Sequence, residues 1–252
     1  MKLQNRVAVV TGGGTGIGRG CCLALAREGA AVVVNYSKSQ AQAEEVVQLI
    51  TQSGGQAIAV RADVSQDAEA RQLMETTVTQ FGRLDILVNN AGYTRFTPHR
   101  ELELLTEELI ERTLAVNTKG PLYCCRAAIP YMQQNGFGSI VNITSIAGRL
   151  GVGSSIIYGG SKAALGAMTK AMARAFAPTI RVNAVAPGLV DTGFVDWPES
   201  VLLEGKERAH LGRMVTVEDV AATVLYLVTD GNALTGEEIV VDGGIVSLGN
   251  RS

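Results

Sequence analysis

Tyr158 and Lys162 stand four residues apart in Tyr158-Gly-Gly-Ser-Lys162. On a helix that spacing puts both side chains on one face. An ammonium beside a phenol favours the phenolate, so the pair reads as a proton-transfer couple with the tyrosine pKa lowered from about 10. A phenol placed this way serves as general acid or base. Ser145 ends the apolar run before this stretch, where it can donate a hydrogen bond to a carbonyl oxygen. Asn117 lies just before Gly120-Pro121 in a long helical pattern, where a distorted backbone would free a carbonyl for water. Each feature alone is commonplace, since Tyr–Lys pairs dot helix surfaces and serines cap strand ends. The set of four is far less expected by chance.

A second constellation could hold a phosphate. Thr11-Gly-Gly-Gly-Thr-Gly-Ile-Gly18 follows an apolar run and opens a helical stretch. Gly12 permits a tight turn, Gly16 lets the backbone approach a pyrophosphate, and Gly18 allows close helix–strand packing. The amides at the helix start, around Thr15, Gly16 and Ile17, then favour an anion. No Lys-Ser/Thr follows, which excludes a nucleoside-triphosphate P-loop. Sites for NAD usually carry Asp or Glu at the end of the second strand, on the ribose 2′-hydroxyl. Here that strand ends Asn35-Tyr36-Ser37-Lys38, without a carboxylate. A 2′-phosphate would meet no repulsion there, while Ser37 supplies a hydrogen bond and Lys38 a charge. Tyr36, Ser37 and Lys38 therefore favour NADP(H) over NAD(H).

The elements that must position these residues are legible as well. Near-continuous apolar runs at 7–11, 31–35, 57–61, 86–89, 139–144, 181–186 and 238–242 read as parallel strands covered on both faces. Helical stretches at 17–28, 39–53, 67–80, 106–134, 158–177 and 217–229 alternate with them. The alternation predicts one α/β domain over 1–252, a doubly wound Rossmann sheet of seven mostly parallel strands with helices on both faces. Gly120-Pro121 predicts a kink in the long helix, and Thr216 to Asp219 reads as a capping box with Asp in the last place. The stretch 190–215 has no clear period and reads as a lid, ordered or mobile.

Composition removes other classes. A chain of 252 residues with net charge −2 has no electrostatic footprint for nucleic acid or an anionic membrane. No run approaches the ~20 apolar residues of a membrane span, and no targeting segment is visible. Cys21-Cys22 and Cys124-Cys125 have no zinc spacing, and His99 and His210 stand alone, so no metal site is expected. Reduced, buried thiols fit a cytoplasmic protein.

Taken together, these residues resemble the short-chain dehydrogenase/reductase family over essentially the whole chain. The matching stretches are Thr11–Gly18, Asp63-Val64, Asn89-Asn90-Ala91-Gly92, Asn117, Ser145, Tyr158 with Lys162, Pro187-Gly188 with Thr192, and Val241-Asp242-Gly243-Gly244. The resemblance implies hydride transfer between a nicotinamide and a ketone or secondary alcohol. It implies Tyr158 as general acid/base, Ser145 polarising the carbonyl, Lys162 on the nicotinamide ribose, and Asn117 holding a water. Asp63 and Val64 would contact adenine. Asn90, Ala91 and Gly92 would line the cofactor cleft, and Pro187, Gly188, Val190 and Thr192 would hold the nicotinamide. One departure is that NADP-linked members often carry a basic residue where Thr15 stands.

The chain is most similar to 3-oxoacyl carrier-protein reductases and related carbonyl, sugar and alcohol dehydrogenases. The carrier-protein enzymes typically show basic residues near the active-site rim. The matching places here, Asn135-Gly136-Phe137 and Ala177-Pro178-Thr179, have no arginine, which speaks against a carrier-bound substrate. Pocket candidates are Phe96, Leu150, Trp197, Leu202 and Leu203, with Arg95 and Arg149 as the few charges, which suits an apolar or bulky ketone. An NAD-dependent sugar or alcohol dehydrogenase is an alternative. A non-catalytic nucleotide sensor would be expected to lose Tyr158 or Lys162, and both are present. A methyltransferase would not need the pair. The stretch 158–177 is apolar around much of its circumference, and the resemblance implies a homotetramer in which it packs on a symmetry mate.

Overall fold

The structure is a computed structural model, and it describes residues 1–249. In chain order the main elements are β1 (Val7–Val10), α1 (Gly16–Arg27), β2 (Ala31–Tyr36), α2 (Gln40–Gln52), β3 (Ala57–Arg61), α3 (Asp67–Phe81) and β4 (Ile86–Asn89). They continue with α4 (Glu107–Leu114), α5 (Gly120–Gln134), β5 (Gly138–Ile143), α6 (Ala147–Leu150), α7 (Ile156–Phe176) and β6 (Ile180–Pro187). The last are α8 (Glu199–Arg208), α9 (Val217–Thr229), β7 (Glu238–Val241) and α10 (Ile245–Leu248). All seven strands pair in parallel, in the order β3-β2-β1-β4-β5-β6-β7. The order reverses at β1, so β1 and β4 diverge there and open a crevice at their carboxyl ends.

Successive strand residues feed opposite faces. Ala8, Val10, Val32 and Val34 pack with Cys21, Leu25, Val46, Val224 and Leu227 from α1, α2 and α9. Val9, Val33, Leu87, Ile140 and Val182 pack with Leu73, Met74, Cys124, Cys125 and Met172 from α3, α5 and α7. The apolar runs lack alternation because both faces are covered. All four cysteines are buried thiols, and burial pushes Cys21 and Cys125 up to about 12.

Three elements depart from the reading of the sequence. The long helix over 106–134 is two helices, and the break is a π turn at Ala115–Lys119 rather than a kink at Gly120-Pro121. Pro121 falls in the first turn of α5, where a missing N–H costs nothing. The helix carrying Tyr158 begins at Ile156, capped by Ser155, whose hydroxyl accepts from Tyr158 N at 3.2 Å. The 190–215 stretch holds α8, and a parallel bridge between Val190 and Val215 closes its ends. Thr216 and Asp219 form the expected capping box.

Candidate active site

Strand ends and the turns after them build the floor of one cleft of about 730 Å³. Thr11 and Asn90 lock the turns after β1 and β4 together. Thr11 Oγ1 accepts from Asn90 N at 2.9 Å and Ala91 N at 3.0 Å. Asn90 Nδ2 donates to Thr11 O at 2.9 Å and to Gly12 O at 3.1 Å. Asn35 ties in β2: its Oδ1 accepts from Gly12 N at 3.3 Å, and its Nδ2 donates to Ala62 O at 3.1 Å. Thr15, at the N-cap of α1, makes no side-chain capping bond, and the first turn carries no carboxylate. The amides of that turn are thus left for an anion.

The residues present fit a dinucleotide. Gly12, Thr15, Gly16 and Ile17 line the cleft. A Cβ on Gly16, whose φ is +50°, would fall 3.1 Å from Thr192 Cβ and fill the space between turn and lid. Ser37, Lys38, Asp63 and Val64 line one end of the cleft. Asn90 to Gly92 line the middle, and Pro187, Gly188, Val190 and Thr192 a wall. Two expected contacts are not on the lining. Tyr36 closes β2 one residue beyond its expected end and belongs to the buried apolar cluster, so its side chain belongs to the core. Gly18 lies beneath the turn, where a Cβ would collide with Gly12 O and sit 2.5 Å from Asn90 Nδ2.

At the other end Ser145, Tyr158 and Lys162 converge on the same cleft. Lys162 Nζ donates to Ile143 O at 2.8 Å and lies 5.7 Å from the Tyr158 ring centroid. The expected lowering of the tyrosine pKa is not what the structure shows. Burial pushes Tyr158 up to about 12, opposed by a hydrogen bond with Ser145. Burial likewise lowers Lys162 to about 8. Desolvation dominates both shifts, since removing a charge from water disfavours the phenolate and the ammonium alike. Tyr158 is therefore a protonated phenol at neutral pH.

Asn117 is fully buried in the π turn and does not line the cleft. Its Oδ1 accepts from Tyr93 N at 2.7 Å, and its Nδ2 donates to Tyr93 O at 2.9 Å and Ser161 Oγ at 3.0 Å. Ser161 Oγ in turn donates to Tyr158 O at 2.7 Å. Asn117 thus clamps the turn after β4 to the helix of Tyr158. The sequence pattern assigns no role to Ser161 or Arg112 and reads Asn35 only as part of the end of β2, although a buried amide in an apolar strand signals a structural bond.

Aromatic rings cover the half of the cleft beside Tyr158. Phe96 and Trp197 meet edge to face at 5.8 Å, and Phe194 lies 6.5 Å from Tyr158. Leu150 also lines this half, while Leu202 and Leu203 do not. Arg149 is drawn away by Glu238 at 2.6 Å, and Arg95 donates to Leu104 O at 3.3 Å. Asp242 accepts from Gly244 N and Val246 N and holds α10, whose Ile245 reaches the cleft. Asn135–Phe137 and Ala177–Thr179 are not at the active-site rim. Those residues precede β5 and β6, at the strand ends opposite the cleft, so they carry no information about substrate. Among the described residues no cluster could hold a metal ion, and no helix is long and apolar enough to cross a membrane.

A family model described as enoyl-(acyl carrier protein) reductase matches residues 12–246. The chain is 43% identical to an uncharacterized oxidoreductase of Methylorubrum extorquens, across 97% of this chain and 99% of that one. It is 40% identical to a 3-oxoacyl-[acyl-carrier-protein] reductase of Synechocystis, across 97% and 98%. A solved short-chain dehydrogenase/reductase mutant from Serratia marcescens superposes with a TM-score of 0.89 at 37% identity, across 98% and 100%. The chain belongs to the short-chain dehydrogenase/reductase family. It is an NAD(P)-dependent oxidoreductase.

Proposed function

We propose that this chain interconverts a neutral, apolar ketone and its secondary alcohol with NADP(H), Tyr158 acting as general acid/base. The observation that carries the reading is the convergence of Ser145, Tyr158 and Lys162 on a cleft that the glycine-rich turn Gly12 to Ile17 also lines. Hydride chemistry belongs to the cofactor, while the protein supplies orientation and the proton. Tyr158, protonated at neutral pH, gives its proton to the carbonyl oxygen during reduction. Ser145 donates a hydrogen bond to the same oxygen. Lys162 would hold the ribose of the nicotinamide half, and Asn117 fixes the helix bearing Tyr158 and Lys162. Ser37 and Lys38 line the cleft with no carboxylate beside them in the sequence, which supports NADP(H). Phe96, Phe194 and Trp197 support an apolar substrate.

A second reading, reduction of a 3-oxoacyl carrier protein, is favoured by the name of the Synechocystis relative. Turnover of aryl and alkyl ketones beside acetoacetyl thioesters, each with NADPH and NADH, separates the two. The expected result is a higher kcat/KM with NADPH and with the bulky ketones. A preference for NADH overturns the cofactor assignment, and a preference for the carrier thioester establishes the second reading.

The whole chain acts as one domain of a cytoplasmic homotetramer in this proposal. Gly160, Ala163, Ala167 and Ala171 leave an exposed stripe of small residues along α7, which supports close packing on a symmetry mate. A monomer mass by light scattering at micromolar protein would contradict the tetramer.

A further inference from the structure

Beyond the end of β3, a side chain from another layer reaches the cleft. Asp63 Oδ1 accepts from Ser65 N at 3.0 Å and from Ser65 Oγ at 2.7 Å. Asp63 Oδ2 accepts from Arg112 Nη2 at 3.1 Å, while Arg112 Nη1 donates to Ser65 Oγ at 2.8 Å. One guanidinium from α4 therefore spans both members of the Asp63–Ser65 turn, a geometry a lysine cannot reproduce. The Arg112 guanidinium also lies 6.0 Å from the centroid of the Tyr93 ring, whose main chain Asn117 clamps. The carboxylate is thus oriented from two sides, and Oδ2 keeps acceptor capacity. Burial alone would raise the Asp63 pKa, but the bonds from Ser65 and Arg112 hold it below the ordinary carboxylate range. Asp63 is accordingly acceptor-only at any working pH.

Its place in the cleft decides what it can meet. The phosphate turn lies between β1 and α1, and the Tyr158 end lies beyond β4 on the β5 side. A dinucleotide centred on that turn must extend its other half over β2 and β3, where Asp63, Val64 and Arg112 line the cleft. An adenine presents an exocyclic amine, a donor. Hypoxanthine presents a carbonyl at the same position, which a fixed carboxylate repels.

We propose that Arg112 is a positioning residue for base selection, aiming the Asp63 carboxylate at the amino group of the cofactor's adenine. The inference rests on the dinucleotide reading above and deepens it. The test compares NADPH with its hypoxanthine analogue, by quenching of protein fluorescence on binding and by steady-state kinetics. The parent should bind NADPH about tenfold more tightly than the analogue, the scale of one charge-assisted hydrogen bond at a half-exposed site. Arg112→Met should weaken NADPH about tenfold and the analogue less than twofold, so that discrimination is lost. KM for NADPH should rise by a similar factor while kcat changes less than threefold. Arg112→Lys should fall between the two and serves if the Met variant does not fold. An adenine-to-hypoxanthine ratio unchanged in either variant overturns the role of Arg112. A parent that binds neither dinucleotide overturns the cofactor reading, and this inference with it.

Discussion

Side chains of Thr11, Asn35 and Asn90 hold the glycine-turn side of the cleft through bonds to main chain, that of Gly12 included, which cross from strand end to strand end. Phe96, Phe194 and Trp197 cover the other half mainly by ring contacts, and α8 beside them buries no residue fully. Phe194, Leu203 and Leu211 are 47%, 57% and 71% exposed. The floor inherits its precision from the register of parallel strands, where a displaced residue would break several bonds at once. The cover is anchored at its ends, by the Val190–Val215 bridge and by Arg213 on Asp219 at 2.5 Å. Rigid positioning thus belongs to the glycine-turn side, and adaptability to the aromatic cover, where loops ordinarily carry specificity.

Substitutions on the two sides test this contrast. Tyr158→Phe should lower kcat about a thousandfold, within the range for losing a general acid, while cofactor binding stays within a few fold. Kinetics and fluorescence titration check both, and residual activity within a few fold of the parent would remove Tyr158 from the mechanism. Next in size is Gly18→Ala, whose Cβ collides with Gly12 O beneath the floor. It should cost about 3 kcal/mol or more, through a displaced turn, and show as a lowered Tm with lost cofactor affinity. Gly193→Ala in the cover has φ +68° but open space around its Cβ, so it should cost only about 1 kcal/mol from backbone strain. Equal losses at the two glycines would erase the distinction between floor and cover.

Lys162→Met tests the buried charge in the floor. The folded-state pKa of about 8 lies below the ordinary 10.5. The unfolded chain therefore holds the extra proton between those values, and stability rises with pH across that window. Below pH 8 the buried ammonium destabilises the free protein by an amount on the order of 2–3 kcal/mol. The Met variant should accordingly be more thermostable than the parent at pH 7. That advantage should fade as pH climbs from 8 toward 10.5, as followed by thermal melts. A constant difference across pH would show that the charge is not the cause. A change on the scale of a single charge is expected of Ser37→Asp, because Ser37 lines the cleft beside Lys38. It should move the NADPH/NADH ratio of kcat/KM about tenfold toward NADH. Position 36 is unsuited to this test, since a carboxylate there would enter the core cluster.

The sequence alone determined the sheet and the chemistry placed on its strand ends. Continuous apolar runs mark strands covered on two faces, and a turn that must pass near a phosphate needs glycine at spacings no other residue satisfies. The place of Gly12, Ser145 and Tyr158 on the cleft was legible because it follows from their own turn, strand end or helix start. Other features emerge only when the layers pack. The tertiary structure showed Tyr36 turned into the core, the π turn at Ala115–Lys119, the ordered helix within 190–215, and the phenol of Tyr158 shifted upward. It also brought Arg112 to Asp63 across 49 residues of chain. Desolvation and long-range pairing depend on which layers meet in space, and local periodicity carries no record of that.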